Sequence, residues 1–321
     1  MSAPSAASQD VLKLRRDAEL LSAGLPPLPL ALDRIATNIS PGAHGRKRRG
    51  PGESFWQFRR YEWGDDIRAI DWRRSARGHR VYIREQEWEA AQTVWMWRDS
   101  SPSMDFSSLR SGETKRTRAS VLLLALANLL LRGGENVALL DSGQRPAGGI
   151  HRLDQLAITL ATKDLTTADS GTDPENFPDP RNLSRYSSLI IIGDFLTPLE
   201  DVSAMMRRLS SQAIRGHVVQ ILDPAEEDLP YDGRVRFADP ETQDEYTVGA
   251  VEDLRQAYRD RMQARQHALR DHCRQVGWSY LRHRTDQPAQ LALLALINQL
   301  SGPQTTKAAG SGGTLSEGLW S

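Results

Sequence analysis

From Thr93 to Leu300 the chain alternates short, continuous apolar runs with longer stretches of helical period. The runs TVWMW, NVALL, LIIIG, HVVQIL and WSYLRH read as strands. Between them, helices are expected at about Lys115–Arg132, Leu153–Thr162, Leu199–Ile214, Val251–Val276 and Pro288–Leu300. Strands that are apolar throughout, rather than at every second position, are buried on both faces, and the helices between them supply the cover. The expected fold class is α/β, a doubly wound, mostly parallel sheet. In LRGGENVALL the glycines fall just past a helix, as a C-cap does, and the chain then enters a strand. One segment departs from this rhythm. YDGRVRFADPETQDEYTV reads as an antiparallel hairpin turning at Asp239-Pro240.

Before Thr93 the pattern changes. The first ten residues are small and polar and are expected to be disordered. A short helix is expected from Gln9 to Ala23. SPGAHGRKRRGPGES reads as an exposed loop, and an aromatic, charged stretch follows it. Residues 1–92 are thus read as an N-terminal extension rich in Arg and Trp and containing β-structure. Residues 93–302 are read as the α/β domain, and the Gly/Ser/Thr-rich residues 303–321 as a disordered tail.

Charge narrows the function classes. Lysine plus arginine equals aspartate plus glutamate, 41 each, so the net charge does not suggest a nucleic-acid or anionic-membrane partner. The balance is uneven: between His44 and Arg84 there are twelve Lys/Arg against five Asp/Glu. The basic run HGRKRRG has no evident fold for reading bases, so surface solvation or contact with an acidic protein suits it better than nucleic acid. A single cysteine, Cys273, excludes an internal disulfide and a cysteine-based metal cluster; on its helix it reads as a half-buried thiol. The opening residues have no apolar core of the signal-peptide kind. The longest apolar run, VLLLALANLLL, is about half the ~20 residues of a membrane helix. The expected location is cytoplasmic.

The chemistry concentrates in TVWMWRDSSPSMDF, where an apolar strand stops at Asp99. Ligands of open parallel sheets bind beyond the carboxyl ends of the strands. Asp99, Ser101 and Ser103 are spaced by two, so in an extended turn their oxygens converge. One carboxylate and two hydroxyls are hard ligands that suit Mg²⁺ or Mn²⁺, at about 2.0–2.1 Å for Mg²⁺. Asp194 ends the most apolar strand, LIIIGD, and adds an acid at the same edge. Aspartate and two serines in this spacing resemble the metal-ion-dependent adhesion site of von Willebrand factor A domains. That resemblance implies a threonine between these elements. Thr166, Thr167 and Thr172 are the candidates, and Thr172 is favoured because its loop runs into the Asp194 strand. A nucleophilic serine is disfavoured: the chain lacks a Gly-x-Ser-x-Gly elbow, and no histidine is expected at this edge. A phosphate loop ending in Lys-Ser/Thr is also missing. Arg98, a cation among apolar strand positions, is expected to pair with Asp194 or another acid.

The preceding stretch carries an extended pattern: Gly52, Glu53, Phe55, Arg59, Tyr61, Gly64, Asp65, Asp66, Arg68, Ile70, Asp71, Trp72, Ala76, Arg77 and Glu85. It resembles the bacterial family known as domain of unknown function 58, in which a von Willebrand-like region follows; the likeness spans roughly residues 20–302. Physically, Asp65, Asp66 and Asp71 can accept bidentate bonds from Arg59, Arg68 or Arg73. Trp63 and Trp72 offer faces for guanidinium groups. The segment is expected to be a hairpin-and-turn module held against the sheet by these pairs; the alternative, compatible with it, is a partner-docking surface through Arg59, Tyr61, Asp65, Asp66, Arg68, Asp71, Trp72 and Arg77. The resemblance implies a non-enzymatic adaptor partnered with a MoxR-type AAA+ ATPase in the maturation of protein complexes. The rival classes are a metal-dependent hydrolase using the Asp99 edge, which needs a general base, and a metal-free scaffold.

Overall fold

The computed structural model describes residues 6–30, 54–61, 70–76, 80–87, 91–140, 142–169, 177–179, 181, 183, 185, 187–240, 242 and 244–301. The chain divides into two compact units, residues 1–31 with 93–321, and residues 32–92. The first helix, α1 (Ala6–Ser22), belongs to the larger unit although the sequence reading places it in the extension.

In the smaller unit, β1 (Ser54–Arg60) and β2 (Tyr82–Glu87) pair antiparallel, with an irregularity between Phe55 and Gln57. A single helical turn, α2 (Trp72–Ser75), is capped by Asp71, whose Oδ1 accepts the Arg74 N–H at 2.8 Å. Asp71 is thus spent on a cap. The Arg74 guanidinium lies 5.4 Å from the Tyr82 ring centre; the Trp72 side chain is exposed, and Trp63 lies outside the described residues. Tyr61 donates its N–H to the Val81 carbonyl at 2.9 Å. Arg59 sits opposite Ile83 in the ladder. Asp65, Asp66, Arg68 and Arg77 lie outside the described residues, as does the tail from 302 onward.

The larger unit is the expected doubly wound α/β sheet. Its strands are β3 (Thr93–Arg98), β4 (Asn136–Leu139), β5 (Ser188–Gly193), β6 (Arg215–Leu222) and, after a separate hairpin of β7 (Val235–Ala238) and β8 (Glu245–Val248), β9 (Ser279–Arg284). They lie in the order β4-β3-β5-β6-β9, all parallel. Every residue of β5 is buried, which explains its unbroken apolar sequence. Successive side chains of each strand enter opposite layers. Val94, Met96, Ile190 and Ile192 pack with α1, α3 (Lys115–Arg132), α4 (His151–Asp169) and α8 (Ala289–Ser301). Trp95, Trp97, Leu189 and Ile191 pack with α5 (Leu199–Ser211) and α7 (Val251–Gln275).

Two glycines let the layers close. A Cβ on Gly216 would fall 2.1 Å from the Trp278 ring, and one on Gly133 would fall 2.4 Å from the Leu28 carbonyl oxygen. Helix α1 joins the first layer by polar ties as well. Asn128 donates to Ser22 Oγ at 2.8 Å, and Arg15 to Asp154 at 2.5 Å. Cys273 is fully buried, and burial pushes its thiol up to about 12. Among the described residues, no helix is long and apolar enough to cross a membrane.

Candidate functional site

The sheet order reverses between β3 and β5, since the chain goes from β3 outward to β4 and then returns to the other side of β3. A crevice forms beyond the carboxyl ends at such a point. Asp99 and Asp194 follow β3 and β5 directly, so the topology brings both to that crevice. The Asp99 N–H continues the ladder to the Ile192 carbonyl at 2.8 Å. Its carboxylate rests on Gly193, where a Cβ would approach Asp99 Cβ to 2.9 Å.

From Asp99 the chain turns sharply. Asp99 Oδ1 accepts the Ser101 N–H at 2.8 Å, and a short 3-10 turn (Pro102–Asp105) follows. The two hydroxyls then form an oriented chain. Ser103 donates its only proton to Asp194 Oδ2 at 2.7 Å, so the 3.0 Å contact between Ser101 Oγ and Ser103 Oγ has Ser101 as donor. Asp99, Ser101, Ser103 and Asp194 are therefore brought together as expected. Both hydroxyl protons point along the chain toward Asp194, and lone pairs remain on the oxygens. Thr166 and Thr167 fall in the last turns of α4, and Thr172 lies outside the described residues.

A residue not anticipated stands at the centre. Lys115, the first residue of α3, is wholly buried and donates to Asp194 Oδ2 at 2.8 Å and to Glu226 Oε1 at 2.5 Å. Glu226 lies on a short helix, α6 (Pro224–Asp228), whose capping box it forms with Asp223; its other oxygen accepts the Asp223 N–H at 2.9 Å. Burial works to lower the pKa of Lys115, but Asp194 and Glu226 outweigh it and the net shift is upward. The group is an ammonium. Burial pushes Glu226 up against the pull of Lys115. Asp99 is also pushed up, by burial first and then by the charge of Asp194.

Arginines frame the cluster. Arg116 donates to the carbonyls of Ser100 and Ser101 at 3.3 and 3.1 Å while gripping Asp105, which pins the turn. Arg98 is turned away from Asp194. It pairs with Asp164 of α4 and donates to Ser120 Oγ at 2.6 Å. This is possible because α4 runs seven residues beyond its expected end at Thr162, carrying Asp164 to the sheet edge. Behind Asp194, Phe195 adopts φ 54°, a left-handed backbone that is costly for a bulky residue. Arg265 holds it there by donating to the Phe195 carbonyl at 3.0 Å.

Lys115, Arg116 and Arg118 leave one signal in the sequence: TKRTR puts three cations and no acid in the first turn of a helix, against the helix dipole. Each is matched by carboxylates: Asp194 and Glu226, Asp105 and Asp164, and Glu113.

A family model described as "Protein of unknown function DUF58" matches residues 57–268. Two curated relatives are the uncharacterized proteins Mb1516 of Mycobacterium bovis and Rv1480 of Mycobacterium tuberculosis. Each is 30% identical over 233 residues, covering 69% of this chain and 71% of the relative. Among solved structures, an aerotolerance-related membrane protein from Bacteroides fragilis aligns over 65% of this chain and 98% of its own, at 15% identity and TM-score 0.38. The conserved hypothetical protein BatB from Bacteroides thetaiotaomicron aligns over the same shares at 12% identity and TM-score 0.35.

Proposed function

The chain belongs to the family of proteins of unknown function DUF58, and we propose that it is a non-enzymatic interaction module of the von Willebrand factor A type whose docking edge takes a divalent ion. The observation that carries this reading is the oriented hydroxyl chain from Ser101 through Ser103 to Asp194. It leaves oxygen lone pairs beside a buried carboxylate, Asp99, and so forms a donor set that suits Mg²⁺ or Mn²⁺. Charge supports the fit. Asp99, Asp194 and Glu226 face one ammonium, which leaves a surplus of negative charge that Arg265, bonded to backbone carbonyls, offsets only in part.

Asp99, Ser101 and Ser103 would hold the ion, with Asp194 orienting Ser103. The ion would supply an electrophilic position that a partner's carboxylate completes, while the surrounding surface gives most of the affinity. The partner we propose is a MoxR-type AAA+ ATPase or its client, acting with this chain in the cytoplasm on the maturation of protein complexes. The family resemblance of the Arg59–Glu85 stretch supports that choice.

A metal-dependent hydrolase at this edge is the weaker reading because it needs a base. Lys115 is held charged by two acids, and His217 and His283, both lowered to about 4 chiefly by burial, are hydrogen-bonded to Ser279 and Arg118.

Two measurements test the proposal. Mg²⁺ or Mn²⁺ should raise the melting temperature of the wild type and leave Asp99→Ala unmoved; equal shifts, or none in either, end the ion reading. Pull-down of a MoxR-type ATPase should weaken in the Ser101→Ala, Ser103→Ala double variant, and undiminished capture would put the interface elsewhere.

A further inference from the structure

Every oxygen of Asp194 and Glu226 has a hydrogen-bond donor. Asp194 Oδ2 accepts from both Ser103 and Lys115, and its Oδ1 accepts the Leu196 N–H at 3.2 Å. Glu226 divides its oxygens between Lys115 and the Asp223 N–H. A buried ammonium at the first position of a helix opposes the helix dipole and loses its hydration, so only the two carboxylates make it tenable there. Lys115 is also covalently fixed at this point, unlike a diffusing ion.

We infer that Lys115 is the resident cation of this edge. It keeps Asp194 satisfied without metal, and it sets how strongly the edge demands a divalent ion. An ion that takes Asp194 Oδ2 competes with the Lys115 ammonium for that oxygen, and the positive charge of the ammonium repels it. With Lys115 in place the edge is therefore structurally complete and binds an ion weakly, through Asp99, Ser101 and Ser103. Without the ammonium, Asp194 and Glu226 become unpaired buried carboxylates and the edge turns into a strong divalent site. This rests on the ion reading proposed above and deepens it, because it names the residue that governs ion dependence.

The experiment uses the full chain with Lys115→Met, Lys115→Gln and Lys115→Arg. Mn²⁺ binding is followed by the loss of the free-ion electron paramagnetic resonance signal, and melting temperature is read in chelator and in Mn²⁺. The two neutral variants should bind Mn²⁺ at least about tenfold more tightly than wild type, a modest fraction of what one unit charge a few ångströms away can exert. Both should melt lower than wild type in chelator and recover in Mn²⁺. Lys115→Arg, which keeps the charge, should bind no more tightly than wild type. Should Lys115→Met not fold in chelator, refolding in Mn²⁺ should rescue it, and Lys115→Gln, which retains a hydrogen-bond donor to Asp194, carries the same comparison. Neutral variants that bind no more tightly than wild type would overturn the inference, as would an equal gain in Lys115→Arg. Tight binding by the neutral variants with none by wild type would uphold it while ending the ion reading of the native chain. Binding by wild type unchanged in the neutral variants would do the reverse.

Discussion

Asp99 lies directly against Gly193: a Cβ there would stand 2.9 Å from Asp99 Cβ and 3.1 Å from its Oδ2. The glycine ends β5 next to Asp194, so the missing side chain is what lets the two acids share one crevice. Gly193→Ala should displace the Asp99 carboxylate and cost about 1–3 kcal/mol, the usual cost of overpacking. The Mg²⁺-dependent rise in melting temperature should disappear with it. Gly216→Ala, whose methyl would enter the Trp278 ring, should destabilise at least as much yet keep the response to the ion. Paired melts with and without Mg²⁺ separate the two effects; an intact response in Gly193→Ala would mean that Asp99 does not serve the ion.

Asp99 also predicts a pH dependence. Burial first, and Asp194 second, hold its carboxyl above the usual aspartate range. Well below the ordinary aspartate pKa of about 3.9, folded and unfolded chains both carry the proton and nothing is lost. As pH rises, the unfolded chain releases its proton first, so the folded state loses stability until the folded group ionises, at up to about 1.4 kcal/mol per pH unit. Asp99→Asn keeps an acceptor for the Ser101 N–H and does not titrate. In chelator its stability relative to wild type should therefore climb with pH from about 4 and then level off. Urea denaturation across that range measures it, and a flat difference would contradict the expected shift.

His217 acts in the opposite sense. Its folded-state pKa is lowered from 6.5 to about 4, by burial and then by Arg215. The unfolded chain takes up the proton first as pH falls, so stability present above pH 6.5 is lost between there and about 4, on the order of 3 kcal/mol. His217→Gln, which can still bond Ser279, should remove this contribution and make the acid limb shallower. His283, also lowered to about 4, should contribute a loss of the same sign, while Asp99 works against both. A limb of unchanged steepness in the variant would show that His217 is not buried as a neutral group.

The sheet was legible in the sequence because burial on both faces leaves continuous apolar runs, and β5, with all six residues buried, is the extreme case. Asp99, Ser101 and Ser103 were legible because their relation is local: three residues spaced by two after a strand. Asp194 was legible because it ends the most apolar run. Lys115 and Glu226 were not, because each is only a charge at the start of a helix until the crossovers bring α3 and α6 to the same edge. Arg98 shows the same limit. Its partner was expected to be Asp194 or another acid, and which acid it is was not legible: Asp164 arrives on α4, whose added turns carry it to Arg98. Sequence spacing identifies chemistry within one loop; pairings between elements depend on topology.

Helix α1 packs on α3 and α4, although the whole of the smaller unit lies between them in the chain. Roughly ninety residues separate Ser22 from Lys115. At the usual 5–20 residues per second of synthesis, α1 emerges on the order of ten seconds before the surface it covers. Helix α1 thus waits for α3 and α4 before it can dock. During that interval Ala18 and Leu21, buried in the finished protein, are left open to whatever apolar surface they meet, which makes α1 a natural point of engagement for a chaperone.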